Sequence, residues 1–253
     1  MPHDDRGLPW AQRALIGGFK ALSTTDWPGR PAATVFVRGC PWRCAYCHNP
    51  HLQPRSREGA LAWPDVAARI ESAGTAIEAV VFSGGEPTSD RTLPDQMHWV
   101  RDRGLAVGLH TNGAYPDRLP GLLPLVDWVG FDLKTEYDAY DELTRAPGSA
   151  DRVTRSARIV VRSGVAHEFR LTWHSGLVGS AAARTVAHFA RELGAQAFVI
   201  QHYDPLGTGA CGPAASPPPD PRLLDEFDRL FPRFEYRHEK CGLDEGCHLT
   251  PAA

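Results

Sequence analysis

Short apolar runs alternate with amphipathic stretches along most of this chain. Residues 33–37 (ATVFV) are β-branched and apolar, the pattern of a buried strand, and they run directly into a loop that holds Cys40, Cys44 and Cys47. A helix signal follows, with Pro64 at its start, Val66, Ala67, Ile70 and Ala73 at helical spacing, and Gly74 as a stop. A second strand over 77–82 ends at Ser83-Gly84-Gly85-Glu86-Pro87. The alternation then repeats: helix 93–103, strand 105–110, a Pro-broken helix to 125, strand 127–132, helices 137–143 and 153–162, and strand 168–172. A helix that begins at Ser180 carries Val186, Phe189, Ala190 and Leu193 on one face and stops at Gly194, before a strand over 197–201.

Six strands alternating with helices predict an α/β fold with parallel pairing through right-handed crossovers. The polar residues at the strands' C-terminal ends then gather on one face. Six strands are fewer than the eight of a closed barrel, so the expectation is a partial (β/α)6 barrel with a lateral entrance. Beyond Asp204 the composition changes. Residues 207–221 are rich in Gly, Pro and Ala and read as a linker, followed by a helix over 223–230, a strand signal at 234–236 and a tail with Cys241 and Cys247. The expected organisation is a barrel domain over 1–206 and a short C-terminal extension over 207–253.

Composition narrows the function classes. A chain of 253 residues, 42% hydrophobic and 23% charged, has the make-up of a soluble globular protein with one substantial core. Its formal charge of −3 offers no general basic field, which argues against nucleic acid as a partner. The opening MPHDDRGLPW has acids where a signal peptide has a basic start, and no apolar stretch is long enough to span a bilayer. A cytoplasmic protein with no membrane partner is the simplest expectation. Three of the six cysteines crowd into one eight-residue window, too close for a bridging framework, so metal binding in a reducing compartment fits better.

That window reads RGCPWRCAYCHNP, with three residues between Cys40 and Cys44 and two between Cys44 and Cys47. Short spacings in one loop suit several irons of one cubane. Four thiolates complete a [4Fe–4S] cluster, so three leave one iron without a protein ligand and free to bind a substrate. The alternative is a zinc site with His48 as fourth ligand, which leaves the other strand-end motifs unexplained. In the second of these motifs, glycines let the backbone approach a ligand closely, and Glu86 can accept from a cationic amino group. His110-Thr111-Asn112-Gly113 and Phe131-Asp132-Leu133-Lys134 end the third and fourth strands. Arg170 and His174 lie on or after the fifth, and His202 follows the sixth.

These motifs together resemble the radical S-adenosylmethionine superfamily from about Gly17 to Asp204, including the aromatic Tyr46 just before the last cysteine. The resemblance implies that the open iron chelates S-adenosyl-L-methionine and that its reductive cleavage gives methionine and a 5′-deoxyadenosyl radical. It further implies cofactor contacts from Tyr46, from Gly84, Gly85 and Glu86 at the methionine amine, and from His110 and Asn112. Asp132 and Lys134 are implied near the cofactor's carboxylate, His202 near its ribose, and Arg170 is a candidate partner for a carboxylate of cofactor or substrate.

Within the superfamily the chain is most similar to the glycyl-radical-enzyme activases of anaerobic ribonucleoside-triphosphate reductase. The similarity lies in the Gly17 to Gly29 segment with Asp26, Trp27, Pro28 and Gly29, in FSGGEPT, VGLHTNG and VDWVGFDLK, and in Thr144-Arg145 before Pro147. No cysteine lies between Cys47 and Cys211, so the ferredoxin-like insert of some other activases is absent. The resemblance implies a glycyl radical enzyme as substrate, anaerobic ribonucleoside-triphosphate reductase above all, and an electron donor such as flavodoxin or ferredoxin. The alternatives are an activase of another glycyl radical enzyme and a small-molecule enzyme like carboxy-deazaguanine synthase. A cluster-binding protein without catalysis is a third, and it leaves Glu86 and Lys134 unexplained. For the tail, Cys241, Cys247 and His248 with Cys211 suggest zinc or a second cluster, against unpaired surface thiols.

Overall fold

Six of the apolar runs form strands within two residues of the expected bounds: β2 (Ala32–Val37), β3 (Ala79–Gly84), β4 (Ala106–Thr111), β5 (Trp128–Leu133), β6 (Ala166–Trp173) and β7 (Ala197–His202). The structure, a computed structural model, describes residues 9–203, 205 and 213–238. These strands pair in parallel in chain order. Most of their residues are buried, as expected where helices cover one face of a parallel sheet and a filled interior the other.

Two edge strands extend the expected six. Ile16–Ser23 forms β1, antiparallel to β2, and Arg233–Arg237 forms β8, parallel to β7. The sheet therefore has eight strands in the order β1 to β8, and it does not close. The fold is the expected partial barrel, widened at both edges. Residues 16–23 (IGGFKALS) lack a strand signature because Gly17 and Gly18 interrupt the apolar alternation. Pairing along β2 makes the strand, and Gly17 is needed because a Cβ there would run into Leu52 and Arg38.

The helices are α1 (Trp10–Arg13), α2 (Trp63–Ala73), α3 (Leu93–Arg101), α4 (Leu119–Leu122), α5 (Tyr140–Thr144), α6 (Ser149–Ser163), α7 (Ser180–Glu192) and α8 (Pro221–Leu230). Their ends follow local chemistry. Pro64 opens α2, Gly74 stops it at φ 52°, and the Asp220 carboxylate accepts from the Arg222 amide to cap α8. None of the helices among the described residues is long and apolar enough to cross a membrane.

Two features tie down the floor and one edge of the barrel. At the N-terminal end of the strands, the β1–β2 loop closes the floor: Trp27 stacks on Trp128 at 5.3 Å, over a small apolar cluster with Ala32, Ala79 and Val81. On the opposite edge, Arg237 on β8 donates to both oxygens of the nearly fully buried Glu168 on β6, at 2.7 and 3.0 Å. Such a forked, charge-assisted pair fixes β8 to the sheet across β7. Cys211, Cys241, Cys247 and His248 lie outside the described residues.

Candidate active site

The cysteine loop leaves β2 at its C-terminal end and is anchored on both sides by backbone. The Gly39 amide donates to the Leu52 carbonyl at 2.8 Å, Cys40 to Gln53 at 3.1 Å, and Arg43 to the Thr144 carbonyl at 2.8 Å. Trp42, fully buried, packs edge-on against Tyr140. The Thr144-Arg145 motif thus gains a physical role that its sequence did not disclose: Arg145, left-handed at φ 51°, ends α5 and turns the Thr144 carbonyl toward the loop. Cys40, Cys44 and Cys47 are partly buried free thiols.

The glycine pair after β3 serves this loop directly. The Gly85 amide donates to Val37 at 2.9 Å and the Glu86 amide to Gly39 at 2.8 Å. A Cβ at Gly85 would lie 2.6 Å from the Gly39 carbonyl, and Gly84 combines φ 115° with a would-be Cβ 2.5 Å from the Val37 backbone. Glu86 is fully buried. Its Oε1 accepts from the Thr88 amide at 3.0 Å and from the hydroxyls of Thr88 at 2.6 Å and Thr111 at 2.9 Å, while Oε2 accepts from the Asn112 amide at 2.8 Å. Burial raises its pKa and these donors oppose the rise. Glu86 therefore stitches the end of β3 to the end of β4.

Asn112, held in this way, donates from Nδ2 to Cys40 Sγ at 3.6 Å. On the other side of the loop, the Lys134 backbone is clamped by two tyrosines. Tyr46 donates to the Lys134 carbonyl at 3.3 Å, and the Lys134 amide donates to the Tyr140 hydroxyl at 3.2 Å. The Lys134 ammonium lies 5.7 Å from the Tyr46 ring centroid and 4.0 Å from Asp132 Oδ2. Burial works against this ammonium, but Cys44 and Asp132 outweigh it and raise its pKa. Burial, helped by nearby Glu86 and Cys44, pushes the Cys40 thiol up to about 12, and burial likewise raises Cys44. These thiols ionise only with a cationic partner, and a metal or cluster is the partner a three-cysteine loop provides.

The donor set fits an iron–sulfur cluster. Three thiols on one loop, an amide donor aimed at a sulfur and a buried ammonium beside two of the cysteines are the second-shell features that orient and charge-balance a thiolate cluster.

Deeper in the barrel lies a polar layer. Arg170 on β6 donates from Nε to Asp132 at 3.0 Å and from Nη2 to the Gly130 carbonyl at 3.1 Å. His110 on β4 has Nε2 2.7 Å from the Asp26 carbonyl and Nδ1 3.1 Å from the Ser83 hydroxyl. The Asp26 carbonyl can only accept and the Arg170 guanidinium, 3.1 Å from the same nitrogen, can only donate, so Nε2 satisfies one of the two; the shorter contact, to Asp26, puts the proton on Nε2, and Nδ1 then accepts from Ser83. The Asp26 carboxylate accepts from Thr34 at 2.7 Å, so the floor loop is tied by its backbone to one strand and by its side chain to another. His202, at the end of β7, faces the C-terminal segment: Nδ1 is 2.7 Å from the Tyr236 hydroxyl and Nε2 is 3.1 Å from the Ser216 carbonyl. Cys40, Tyr46, Gly85, Glu86, Asn112, Asp132 and Lys134 are thus linked around the cysteine loop. His110 and Arg170 form the layer beneath, and His202 ties the sheet to residues 213–238.

Burial, seconded by the Arg170 guanidinium 3.1 Å from Nε2, lowers the His110 pKa to about 4. An unfolded histidine binds its proton near 6.5, so between pH 6.5 and 4 the unfolded chain holds a proton that the native imidazole refuses. Stability is whole above pH 6.5 and falls by on the order of 3 kcal/mol as pH drops toward 4. Urea midpoints measured across that range should fall for the wild type and flatten in His110→Asn. Equal slopes would mean that another group drives the change.

Comparison with known proteins follows this geometry. Residues 34–179 match the sequence profile of the Radical SAM superfamily. A protein of Methanocaldococcus jannaschii, provisionally named a glycyl-radical enzyme activating enzyme, is 25% identical over 200 residues, 76% of this chain and 81% of that one. A 7-carboxy-7-deazaguanine synthase of Methanopyrus kandleri is 32% identical over 126 residues, 42% of this chain and 50% of that one. In fold, the chain is similar to SuiB of Streptococcus suis bound to S-adenosylmethionine, with a TM-score of 0.60 and 17% identity over 83% of this chain. It spans about half of SuiB, 49% of that chain.

Proposed function

The chain belongs to the radical SAM superfamily, and from that membership we propose that it generates a glycyl radical on a partner enzyme, specifically anaerobic ribonucleoside-triphosphate reductase. Cys40, Cys44 and Cys47 would hold a [4Fe–4S] cluster with one iron left for S-adenosylmethionine. Once bound and reduced, these groups supply a 5′-deoxyadenosyl radical able to take hydrogen from a glycine Cα.

The chain's own residues bind and orient. The ammonium of Lys134, whose backbone is held by Tyr46 and Tyr140, would neutralise a carboxylate of the cofactor. Asp132 keeps Lys134 and Arg170 in place and remains ionised, because those two cations offset its burial and lower its pKa. The hydroxyl protons of Thr88 and Thr111 can rotate away from Glu86, which frees Oε1 for an incoming ammonium. His110, neutral at physiological pH, contributes a fixed donor to the floor without adding charge.

The observation that supports a glycyl-radical role is the similarity to the provisionally named activating enzyme over 81% of that protein, and the choice of reductase rests on the sequence motifs. The unclosed sheet supports it, because a polypeptide loop needs a lateral entrance and glycine alone presents a backbone with no side chain at its tip. A glycyl radical is delocalised over its flanking amides, so transfer to it runs downhill once the carbon is held close. The 32% identity to a carboxy-deazaguanine synthase favours a second reading, a small-molecule substrate.

Electron paramagnetic resonance separates the two. Reduced enzyme, S-adenosylmethionine and the reductase from the same organism should give a protein radical doublet that disappears when the reductase's radical glycine is replaced by alanine. Turnover of a deazaguanine precursor with no protein radical would instead establish the second reading.

A further inference from the structure

A cavity of about 440 Å³ borders the cysteine loop. Cys40 lines it, together with Tyr115 and four arginines, Arg43, Arg55, Arg91 and Arg118. The arginines come from the cysteine loop, the segment after it, and the loops that follow β3 and β4. Arg43, Arg55 and Arg91 are exposed. Arg43 donates to the carbonyls of Cys40 at 2.7 Å and Trp42 at 2.9 Å, and Arg118 to that of Thr88 at 2.5 Å while covering the Tyr115 ring at 4.4 Å. A carbonyl fixes a guanidinium without cancelling its charge. Arg55 alone has an acid, the buried Asp90, at 3.4 Å. Four cations against one carboxylate make a strongly positive rim on a chain whose formal charge is −3.

We propose that this arginine rim is where an acidic electron-donor protein docks, one that carries a flavin or an iron–sulfur group. The proposal rests on the reading of Cys40, Cys44 and Cys47 as cluster ligands. One electron passes from the donor's reduced group to the cluster, so the donor is oxidised by one electron and the cluster is reduced by one, with no bond made or broken. The electron must enter near a cluster ligand, and Cys40 itself lines this rim. The charge also suits a protein better than a small anion. Guanidiniums already committed to backbone carbonyls have fewer donors left to wrap a phosphate, but together they present a broad field, which steers an oppositely charged surface. Redox encounters use small, weak interfaces, for which long-range attraction sets the rate.

The test uses the reconstituted holoenzyme and two acidic probes, a reduced flavodoxin and a reduced ferredoxin, with reduced methyl viologen as a small reductant. Cluster reduction is followed by its visible absorbance, and binding of the oxidised flavodoxin is measured by calorimetry on the same preparations. At low ionic strength the Arg55→Glu/Arg91→Glu enzyme should bind flavodoxin more weakly. It should also be reduced by the faster protein donor about tenfold more slowly than wild type, a gap that closes as salt is raised. Reduction and cofactor cleavage with viologen should match wild type, and Arg162→Glu on the outer face of α6 should behave as wild type throughout.

Equal reduction of the double variant and wild type by the protein donor overturns the docking site, as does an equal loss in Arg162→Glu. Wild-type reduction by neither protein also counts against it, as does binding of inorganic pyrophosphate in the cavity with donor reduction unaffected. If viologen drives no cofactor cleavage even in the wild type, the cluster reading fails and takes this proposal with it.

Discussion

Cys44→Ala is expected to give a folded barrel that no longer cleaves S-adenosylmethionine. Cys44 is the middle thiol of the loop, and its loss leaves two thiolates for a cluster that needs three. The fall should be at least about a thousandfold, since enzymes accelerate their reactions by 10⁶ or more and no other group here supplies the electron. The fold should survive, because the loop hangs on backbone bonds at Gly39, Cys40 and Arg43 and on the buried Trp42, none of which involves the Cys44 side chain. Iron analysis, circular dichroism and anaerobic assay of 5′-deoxyadenosine check the three parts separately. A Cys44→Ala protein that made 5′-deoxyadenosine at the wild-type rate would end the cluster assignment.

Glu86→Ala should have the largest effect on the structure itself. Four donors from Thr88, Thr111 and Asn112 converge on this carboxylate in full burial. Removing it orphans at least the two backbone amides, each worth about 1 to 3 kcal/mol when buried without a partner, so the loss should be about 2 to 6 kcal/mol. Glu86→Gln is no remedy, since its amide group would point donors at donors. Asn112 then loses its anchor and its contact with Cys40, so iron retention should fall with stability. A Glu86→Ala protein with unchanged melting and full iron, but weaker cofactor binding, would show instead that the carboxylate serves the ligand alone.

The contrast between these residues shows how far the sequence could be read. Strands β2 to β7 were legible because each carries a short apolar stretch set off by Gly, Pro or a helix, a purely local signal. β1 was not, since its two glycines erase the pattern and only β2 makes it a strand. The cysteine loop was legible because its ligands are close in sequence. The position of Glu86 was equally plain, but what it touches depends on Thr111 and Asn112, some 25 residues away. The bond from Asp26 to His110 spans 84 residues, and Thr144 meets the cysteine loop through a carbonyl, which every residue has. The glycines of SGGEP were expected to admit a ligand, and their close approach is to the backbone of the cysteine loop.

The pairing of Glu168 with Arg237 bears on how the chain reaches its native state. Synthesis delivers β6 well before β8, because 69 residues separate the two partners. Until Arg237 leaves the ribosome, closing the barrel over β6 would bury a carboxylate with no cation, and an uncompensated buried charge costs several kcal/mol. The nascent barrel is therefore expected to stay open along β6 and β7 and to lock only when β8 arrives. Assembly of the sheet is in this way expected to wait for β8, so that a polypeptide that stops short of Arg237 remains in a form that proteases can clear.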